Sequence, residues 1–289
     1  MTNDFDAASL QKTNFSMATA RSMAAACKLA YQTDPAALCA TLAQWNLNAE
    51  LLIDIDDTQG FVAANEDVAI LAFRGTESVK DWLRNLKIRR IVTPWGKAHR
   101  GFYDGAEAVW STLVKPVLEE LADGRRKIWL TGHSLGGALA TATAALADGD
   151  IDITGCYTFG QPLVGNREFT QNMNRAYQNR FFRVVNNVDV VTRIPPAPLY
   201  AHVDRRYHMD EHGEITVEEQ TRGTRSAPEQ DDEAMDVSEF EAMQAELDGE
   251  GAEGDARPRG QLPGRALRGV ADHDIEEGYL AKLRATSTA

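Results

Sequence analysis

A serine between two glycines is the residue of this sequence best suited to chemistry. Ser134 is the centre of Gly132-His133-Ser134-Leu135-Gly136, which follows an apolar stretch and precedes an alanine-rich run. A sharp strand-to-helix turn of this kind needs glycine on both sides of the serine, because larger side chains would collide there. The turn presents the serine oxygen at a helix N-terminus, where developing negative charge is stabilised. The motif therefore predicts an acyl-transfer nucleophile, and a glycine-rich packing turn is the alternative interpretation.

A serine nucleophile needs a base, and the base needs an acid to orient it. His133 adjoins the serine, but neighbouring side chains diverge at such a turn, so we interpret His133 as structural. In hydrolases with this turn, the acid and then the base follow the serine along the chain. Asp189 lies in an apolar stretch, where a carboxylate needs a partner such as an imidazole. Its alternative role is that of a turn-capping aspartate.

Four histidines follow Asp189 and are candidates for the base: His202, His208, His212 and His273. The first three lie within 200–215, a pattern typical of a strand pair with a tight turn. His273 lies just before a short terminal helix, and a loop in that position is well placed to present a base. The residues alone favour His273, with His202 as the main alternative.

The elements that must position these residues alternate between helices and strands. Helices are predicted over 16–31 and over 34–45, where Asp34 is a capping residue and Pro35 suits the first turn. A further helix is predicted over 102–121 with a kink at Pro116, because proline removes a backbone hydrogen bond. Short apolar runs typical of strands occupy 51–55, 61–64, 68–73, 127–131, 153–159 and 181–185. This alternation predicts an α/β fold with a mixed, mainly parallel central sheet flanked by helices.

The acidic charge of the chain is concentrated in one segment. The sequence has 43 acidic and 30 basic residues, and 12 of the acidic residues lie within 226–256, which contains no lysine or arginine. The rest of the chain is nearly neutral, and the overall balance argues against a nucleic-acid-binding protein, which would need a basic surface. No spacing typical of a zinc site or a calcium loop occurs, so no metal is expected, and acyl transfer by a serine requires no organic cofactor.

Several sequence blocks, in order along the chain, resemble those of the class 3 lipases, the fungal-lipase-like branch of the α/β-hydrolases. The blocks are Phe73-Arg74-Gly75-Thr76, Asp81-Trp82-Leu83, His99-Arg100-Gly101-Phe102, 131–138, 158–166 and 184–195. The resemblance covers about 59–215 and 272–283. It implies an α/β-hydrolase fold with a helical lid, in a single domain spanning 1–289. It also implies Ser134 as nucleophile, Asp189 as acid and His273 as base.

The resemblance further implies an oxyanion hole and a lid. Thr76, which follows the Arg-Gly pair, and Leu135, which follows the nucleophile, are the implied oxyanion donors. The lid is implied at about 77–90, where five basic residues outnumber two acidic ones. A basic amphipathic helix suits a lipid surface, although an ordinary surface helix has the same pattern. Four lid residues share one apolar face: Val79, Trp82, Leu83 and Leu86.

The acidic segment departs from the family pattern as an insertion at about 218–264, between Asp189 and His273. It is predicted to be mostly a solvated tether, with a linker over 257–264. One part is typical of a helix, with a capping box at Ser238–Glu241 and an apolar stripe of Phe240, Met243 and Leu247. The alternative hypothesis is that the segment folds over the basic lid and modulates access to the site.

The implied function is that of a lipase, a serine ester hydrolase that cleaves acylglycerol esters of the triacylglycerol type through an acyl-enzyme. Its partner is a lipid or ester substrate at a lipid–water interface. One alternative is a phospholipase A1, feruloyl esterase or other carboxylesterase with the same triad. The non-enzymatic alternative is a catalytically silent lipid-binding homologue. The oligomeric state is left open.

The sequence also carries an expectation about the compartment. No apolar run is long enough for a transmembrane segment, and no charged-then-apolar leader opens the sequence. A cytoplasmic protein is therefore predicted, with secretion as the alternative.

Overall fold

The computed structural model describes residues 4–203, 205–218, 234–249 and 269–286, and an eight-stranded sheet lies at their centre. In spatial order its strands are β1 (Asn48–Ile55), β2 (Thr58–Ala64), β3 (Val68–Phe73), β6 (Lys127–His133), β7 (Gly155–Phe159), β8 (Phe181–Asn186), β9 (Arg206–Met209) and β10 (Ile215–Glu218). Strands β3, β6, β7, β8 and β9 run parallel, and the outer strands pair antiparallel. This mixed, mainly parallel sheet confirms the predicted fold class. A separate hairpin consists of β4 (Arg90–Thr93) and β5 (Gly96–His99).

Successive side chains of the central strands point to opposite faces of the sheet and are apolar on both. Helices therefore cover both faces. In β3, Leu71 and Phe73 belong to one hydrophobic cluster, and Ile70 and Ala72 belong to the other. The first cluster includes α4 (Arg100–Val109), α5 (Lys115–Leu121), α6 (Leu135–Ala147) and α7 (Arg167–Ala176). The second includes α1 (Met17–Leu29), α2 (Pro35–Gln44) and the terminal helix α9 (Ala281–Ala285).

The two N-terminal helices begin at the predicted caps. The Ser16 side chain accepts a hydrogen bond from the Thr19 amide at the start of α1. The Asp34 side chain accepts one from the Ala36 amide at the start of α2, where Pro35 occupies the first turn. These side chains satisfy amide groups that have no partner within the helix.

The helix predicted over 102–121 consists of three parts. A π-helical turn, Trp110–Val114, separates α4 from α5, and Pro116 lies in the first turn of α5. The proline ring has no amide hydrogen and collides with the carbonyl one turn earlier, so the chain widens there. The predicted kink at Pro116 is therefore realised as a widened turn just before it.

Two further helices lie outside these layers and pack against each other: α3 (Val79–Asn85) and α8 (Val237–Gly249). Helix α8 belongs to the acidic segment, and the predicted stripe of Phe240, Met243 and Leu247 is buried. The prediction of a capping box at Ser238–Glu241 is wrong. Asp236 and Glu239 form the reciprocal pair instead, since each accepts a hydrogen bond from the other's amide.

The rest of the acidic segment, 219–233 and 250–268, lies outside the described residues. The predicted linker at 257–264 and most of the predicted tether fall within these ranges. Within the ranges that the structure does describe, no helix is both long and apolar enough to cross a bilayer.

Candidate active site

Ser134 lies on a strained turn between β6 and α6. Its backbone has φ 58° and ψ −130°, a conformation that side-chain-bearing residues rarely adopt. A Cβ atom on Gly132 would lie 2.1 Å from the carbonyl carbon of Gly136, and one on Gly136 would lie 2.3 Å from the Phe73 carbonyl oxygen. Both glycines are therefore required by the close approach of backbone to backbone, as the motif predicts.

Asp189 and His273 form a buried pair, although they are 84 residues apart in the chain. His273 Nδ1 lies 2.8 Å from Asp189 Oδ2 and 3.0 Å from Oδ1. Since a carboxylate only accepts, Nδ1 carries the proton and Nε2 is left as the basic nitrogen. The Val191 amide donates to Asp189 Oδ1 at 2.9 Å and fixes the carboxylate at the start of the next turn.

The end of β7 brings this pair close to the serine. The Phe159 carbonyl accepts a hydrogen bond from the Ser134 amide at 2.9 Å. The next residue, Gly160, packs so tightly that a Cβ atom there would lie 2.7 Å from both Asp189 Oδ2 and His273 Nδ1. Ser134 and His273 are fully buried, and neither Ser134 Oγ nor His273 Nε2 has a hydrogen-bond partner among the described residues. The arrangement can activate a serine for nucleophilic attack once a substrate enters.

Tyr279 is a further partner of the acid that the sequence did not indicate. Its hydroxyl donates to Asp189 Oδ2 at 2.6 Å and accepts from the Asn186 amide at 3.1 Å. Burial, reinforced by the nearby Asp189, raises the pKa of Tyr279 well above its usual value, so the hydroxyl stays protonated. Tyr279 lies on a π-helical turn, Ile275–Leu280, and the only trace of its role in the sequence is a tyrosine placed shortly after the candidate base.

Replacing Tyr279 with phenylalanine is expected to lower kcat about tenfold with little change in KM, because a charge-assisted hydrogen bond that orients the acid is lost. Tyr177→Phe is the matched control, since Tyr177 is also buried and its hydroxyl donates to the Ala144 carbonyl at 2.5 Å, away from the triad candidates. Steady-state kinetics and thermal melts of both variants check this. An equal loss of kcat in the two variants would show that Tyr279 acts only through stability.

His133 is held in a chain of hydrogen bonds, in accord with its predicted structural role. Its Nε2 lies 2.6 Å from the His273 carbonyl oxygen, and its Nδ1 lies 2.9 Å from the Tyr31 hydroxyl. Because the carbonyl only accepts, Nε2 carries the proton and Tyr31 donates to Nδ1. Burial, with a smaller effect from His273, holds the pKa of His133 well below its usual value, so His133 stays neutral. The Tyr31 hydroxyl also packs closely against Gly75.

The other candidate bases are engaged elsewhere. His202, the main alternative, is buried with Nε2 2.6 Å from the Thr192 carbonyl oxygen. His208 Nε2 lies 3.1 Å from the Asn187 carbonyl oxygen. His212 is exposed at the turn between β9 and β10, beside Glu211. Asp189 does cap the turn at Val190–Arg193, so both roles considered for it in the sequence coexist.

The two predicted oxyanion donors both lie close to the nucleophile, Leu135 as the next residue and Thr76 on an adjacent turn. Leu135 is the first residue of α6, where amide groups have no partner within the helix. Thr76 follows Gly75, at which a Cβ atom would lie 2.9 Å from Ser134 Cβ. The turn that carries Thr76 is thus packed directly against the serine.

The predicted lid residues lie on and just after α3. Leu83 and Leu86 are buried, while Val79 and Trp82 are partly buried and pack against the same hydrophobic cluster. The helix is shorter than the implied segment of 77–90: Ser78 caps its start, and Leu86 already has an extended backbone. Hydrogen bonds to other parts of the structure prevent the helix from continuing. His99 Nε2 lies 2.8 Å from the Lys87 carbonyl oxygen, and the Arg100 amide donates to the Arg89 carbonyl at 2.8 Å.

Comparisons with known proteins point to one family. The family model described as Lipase (class 3) matches residues 70–199. A lipase of Rhizomucor miehei is 31% identical over 57% of this chain and 48% of its own length. Secreted mono- and diacylglycerol lipase 1 of Fusarium solani is 33% identical over 49% of this chain and 44% of its own length. A solved fungal lipase–inhibitor complex is 30% identical with a TM-score of 0.53, covering 61% of this chain and 72% of that one. The chain therefore spans less than half the length of the first two relatives.

Proposed function

Because the chain belongs to the class 3 lipases, we propose that it is a lipase that hydrolyses acylglycerol esters with Ser134, Asp189 and His273 as its catalytic triad. The observation that carries the proposal is the buried Asp189–His273 pair, held by Gly160 beside a serine on a strained strand-to-helix turn. The fungal relatives named as a lipase and as a mono- and diacylglycerol lipase support acylglycerols as the substrate class.

The proposed reaction is a two-step acyl transfer. Ser134 Oγ attacks the ester carbonyl carbon while His273 Nε2 takes its proton, and a tetrahedral intermediate forms. The bond to the alcohol then breaks as His273 returns the proton to the departing oxygen, which leaves an acyl-serine. Water attacks the acyl-serine with His273 as base, and the fatty acid leaves as Ser134 regains its proton. Asp189 keeps Nδ1 protonated and stabilises the imidazolium throughout.

We propose that the amides of Thr76 and Leu135 donate hydrogen bonds to the oxyanion of the tetrahedral intermediate. The helix N-terminus at Leu135 and the packing of Gly75 on Ser134 support this assignment. A preformed donor of this kind contributes about 3 kcal/mol of transition-state stabilisation. No metal or organic cofactor has a step in this mechanism.

We assign the lid to α3 and the residues that follow it. The complete burial of Ser134 supports a closed site, into which a lipid enters only after a segment moves. Val79, Trp82, Leu83 and Leu86 turn their apolar side chains toward the core in this state. On opening, the same face would meet the acyl chains of a lipid surface, and the basic side chains would meet its head groups.

Fluorophosphonate labelling and substrate profiling test the proposed function together. The wild-type protein is expected to form a covalent adduct at Ser134, and Ser134→Ala is expected to form none, because the probe reacts with an activated serine. The wild type is also expected to hydrolyse emulsified triacylglycerol faster than phospholipid vesicles or a feruloyl ester. Mass spectrometry of the adduct and titration of released acid are the measurements.

Other results would select the alternatives. Faster release from phospholipid vesicles would indicate a phospholipase, and activity restricted to monomeric esters would indicate a carboxylesterase. A protein that binds lipid vesicles but forms no adduct would be the catalytically silent homologue.

The cytoplasm and the extracellular medium are the two candidate locations of the protein. The cytoplasmic location predicted from the sequence gains no support from the relatives, one of which is named as a secreted protein. Detection of the protein in culture medium or in cell extract decides between them.

A further inference from the structure

A helix of the acidic segment packs on the lid. Phe240, Met243 and Leu247 lie on one face of α8, and they share a hydrophobic cluster with Leu83 and Leu86 of the lid. Phe240 is 1% exposed, which is unusual for a phenylalanine in a segment so rich in charge. The apolar stripe of α8 is therefore covered in this state, and the lid is part of what covers it.

Side-chain hydrogen bonds also join the same two helices. The Gln244 side-chain amide lies 3.0, 3.2 and 3.1 Å from the carbonyl oxygens of Leu83, Arg84 and Leu86. In return, Arg84 donates to the Leu247 carbonyl at 2.9 Å. The last carbonyls of a helix have no partner within it, so Gln244 satisfies groups that the lid cannot satisfy itself.

The lid has little stability of its own. Helix α3 contains seven residues, and isolated helices of that length do not persist in water. Its start is capped by Ser78, but its C-terminal end relies on the side chain that α8 supplies. Removing α8 therefore removes both the apolar cover and the C-terminal cap of α3.

The other end of α8 is fixed to the loop that carries the acid. The Met235 amide donates to the Arg193 carbonyl at 2.8 Å, and the Ala197 amide donates to the Met235 carbonyl at 2.8 Å. Arg193 ends the turn that begins after Asp189. Helix α8 thus bridges a fixed part of the site and a lid that depends on it.

We propose that α8 is an internal latch that holds the lid closed over Ser134, and that the site opens when α8 releases α3. The proposal rests on the proposed function of Ser134 and of the lid. The latch works chiefly through the buried stripe and Gln244. Arg84 Nε lies 3.3 Å from Asp248 Oδ1, but both side chains are partly exposed, so water and salt screen this ion pair.

Labelling of Ser134 by a soluble fluorophosphonate measures opening without any lipid substrate. Gln244→Ala and Phe240→Ala are each expected to speed labelling about tenfold or more, because they shift the equilibrium toward the open lid. Glu241→Ala is the matched control on the exposed face of α8, and Asp248→Asn tests the ion pair. Both are expected to label within about twofold of the wild type.

Amide hydrogen exchange in α3 gives a second, independent measurement. Exchange is expected to be faster in Gln244→Ala and Phe240→Ala than in Glu241→Ala, because the lid amides lose protection when α8 leaves. Unchanged labelling and unchanged exchange in the two latch variants would overturn the proposal. If Ser134 reacts in no variant, the proposed function fails, and exchange in α3 still decides whether α8 holds the lid.

Discussion

Asp189→Asn is expected to lower kcat about 10⁴-fold, because an amide in place of the carboxylate favours the wrong tautomer of His273, the proposed base. The Val191 amide donates to Oδ1 and cannot change direction, so the asparagine oxygen must take that position. The side-chain NH₂ group then faces His273 Nδ1, where the wild type has an acceptor. Nδ1 becomes the acceptor, the proton moves to Nε2, and the base that should accept from Ser134 is lost.

The replacement is nearly isosteric, so the fold is expected to persist, and circular dichroism with thermal melting checks this. Asp272→Asn is the control, because Asp272 accepts from Asn187 at 3.1 Å and adjoins His273 in sequence but does not contact its ring nitrogens. Kinetics on a soluble ester compare the two. A loss smaller than about 10²-fold in Asp189→Asn, with Asp272→Asn near wild type, would remove Asp189 from the triad.

Gly160→Ala is expected to lower kcat at least about 10²-fold, since a displacement of about 1 Å at the catalytic groups is enough for a loss of that size. Two physical effects act at this position. The backbone has φ 58°, which costs a side-chain-bearing residue about 1 kcal/mol. The new methyl group would also lie 2.7 Å from Asp189 Oδ2 and from His273 Nδ1, so the pair must separate or move.

Gly149→Ala separates these two effects. Gly149 also has a positive φ, 84°, but a Cβ atom there meets nothing within 4 Å. We expect this variant to lose about 1 kcal/mol of stability and to keep its kcat. Equal kinetic losses in both variants would mean that backbone conformation, and not contact with the acid–base pair, makes glycine necessary at position 160.

The candidate site divides into features that the sequence could predict and features that it could not. Ser134 was predictable because the strand-to-helix turn around it is a local pattern, in which both glycines and the flanking strand and helix lie within a few residues. The pairing of Asp189 with His273 spans 84 residues, so local patterns could not exclude His202 as the base. The family resemblance was needed to select His273. Tyr31 carries no local pattern that indicates contact with the site, and the family-like block 158–166 that contains Gly160 does not indicate which groups this glycine meets. Their roles depend on tertiary packing.

The same division applies to the helices of the lid region. The stripe of α8 was predictable from its helical spacing, but its cap was not, because both Asp236 and Ser238 are of types that begin helices. The lid helix was predicted too long, since its apolar spacing continues past Asn85 while contacts from His99 and Arg100 redirect the backbone. Local preference sets the type of an element, and tertiary contacts set its ends.

The hydrogen bond from Tyr31 to His133 has a consequence for how small a working fragment of this protein can be. The family-matched residues, 70–199, contain Ser134 and Asp189, yet both Tyr31 and His273 lie outside them. The Tyr31 hydroxyl bonds His133, 102 residues away in sequence, and packs against Gly75, which precedes the proposed oxyanion donor Thr76. A fragment trimmed to the region of family likeness would therefore lose the proposed base, His273, at one end and Tyr31, which supports the turn that carries Ser134, at the other. The residues that match the family model are thus fewer than the residues that the proposed catalysis needs.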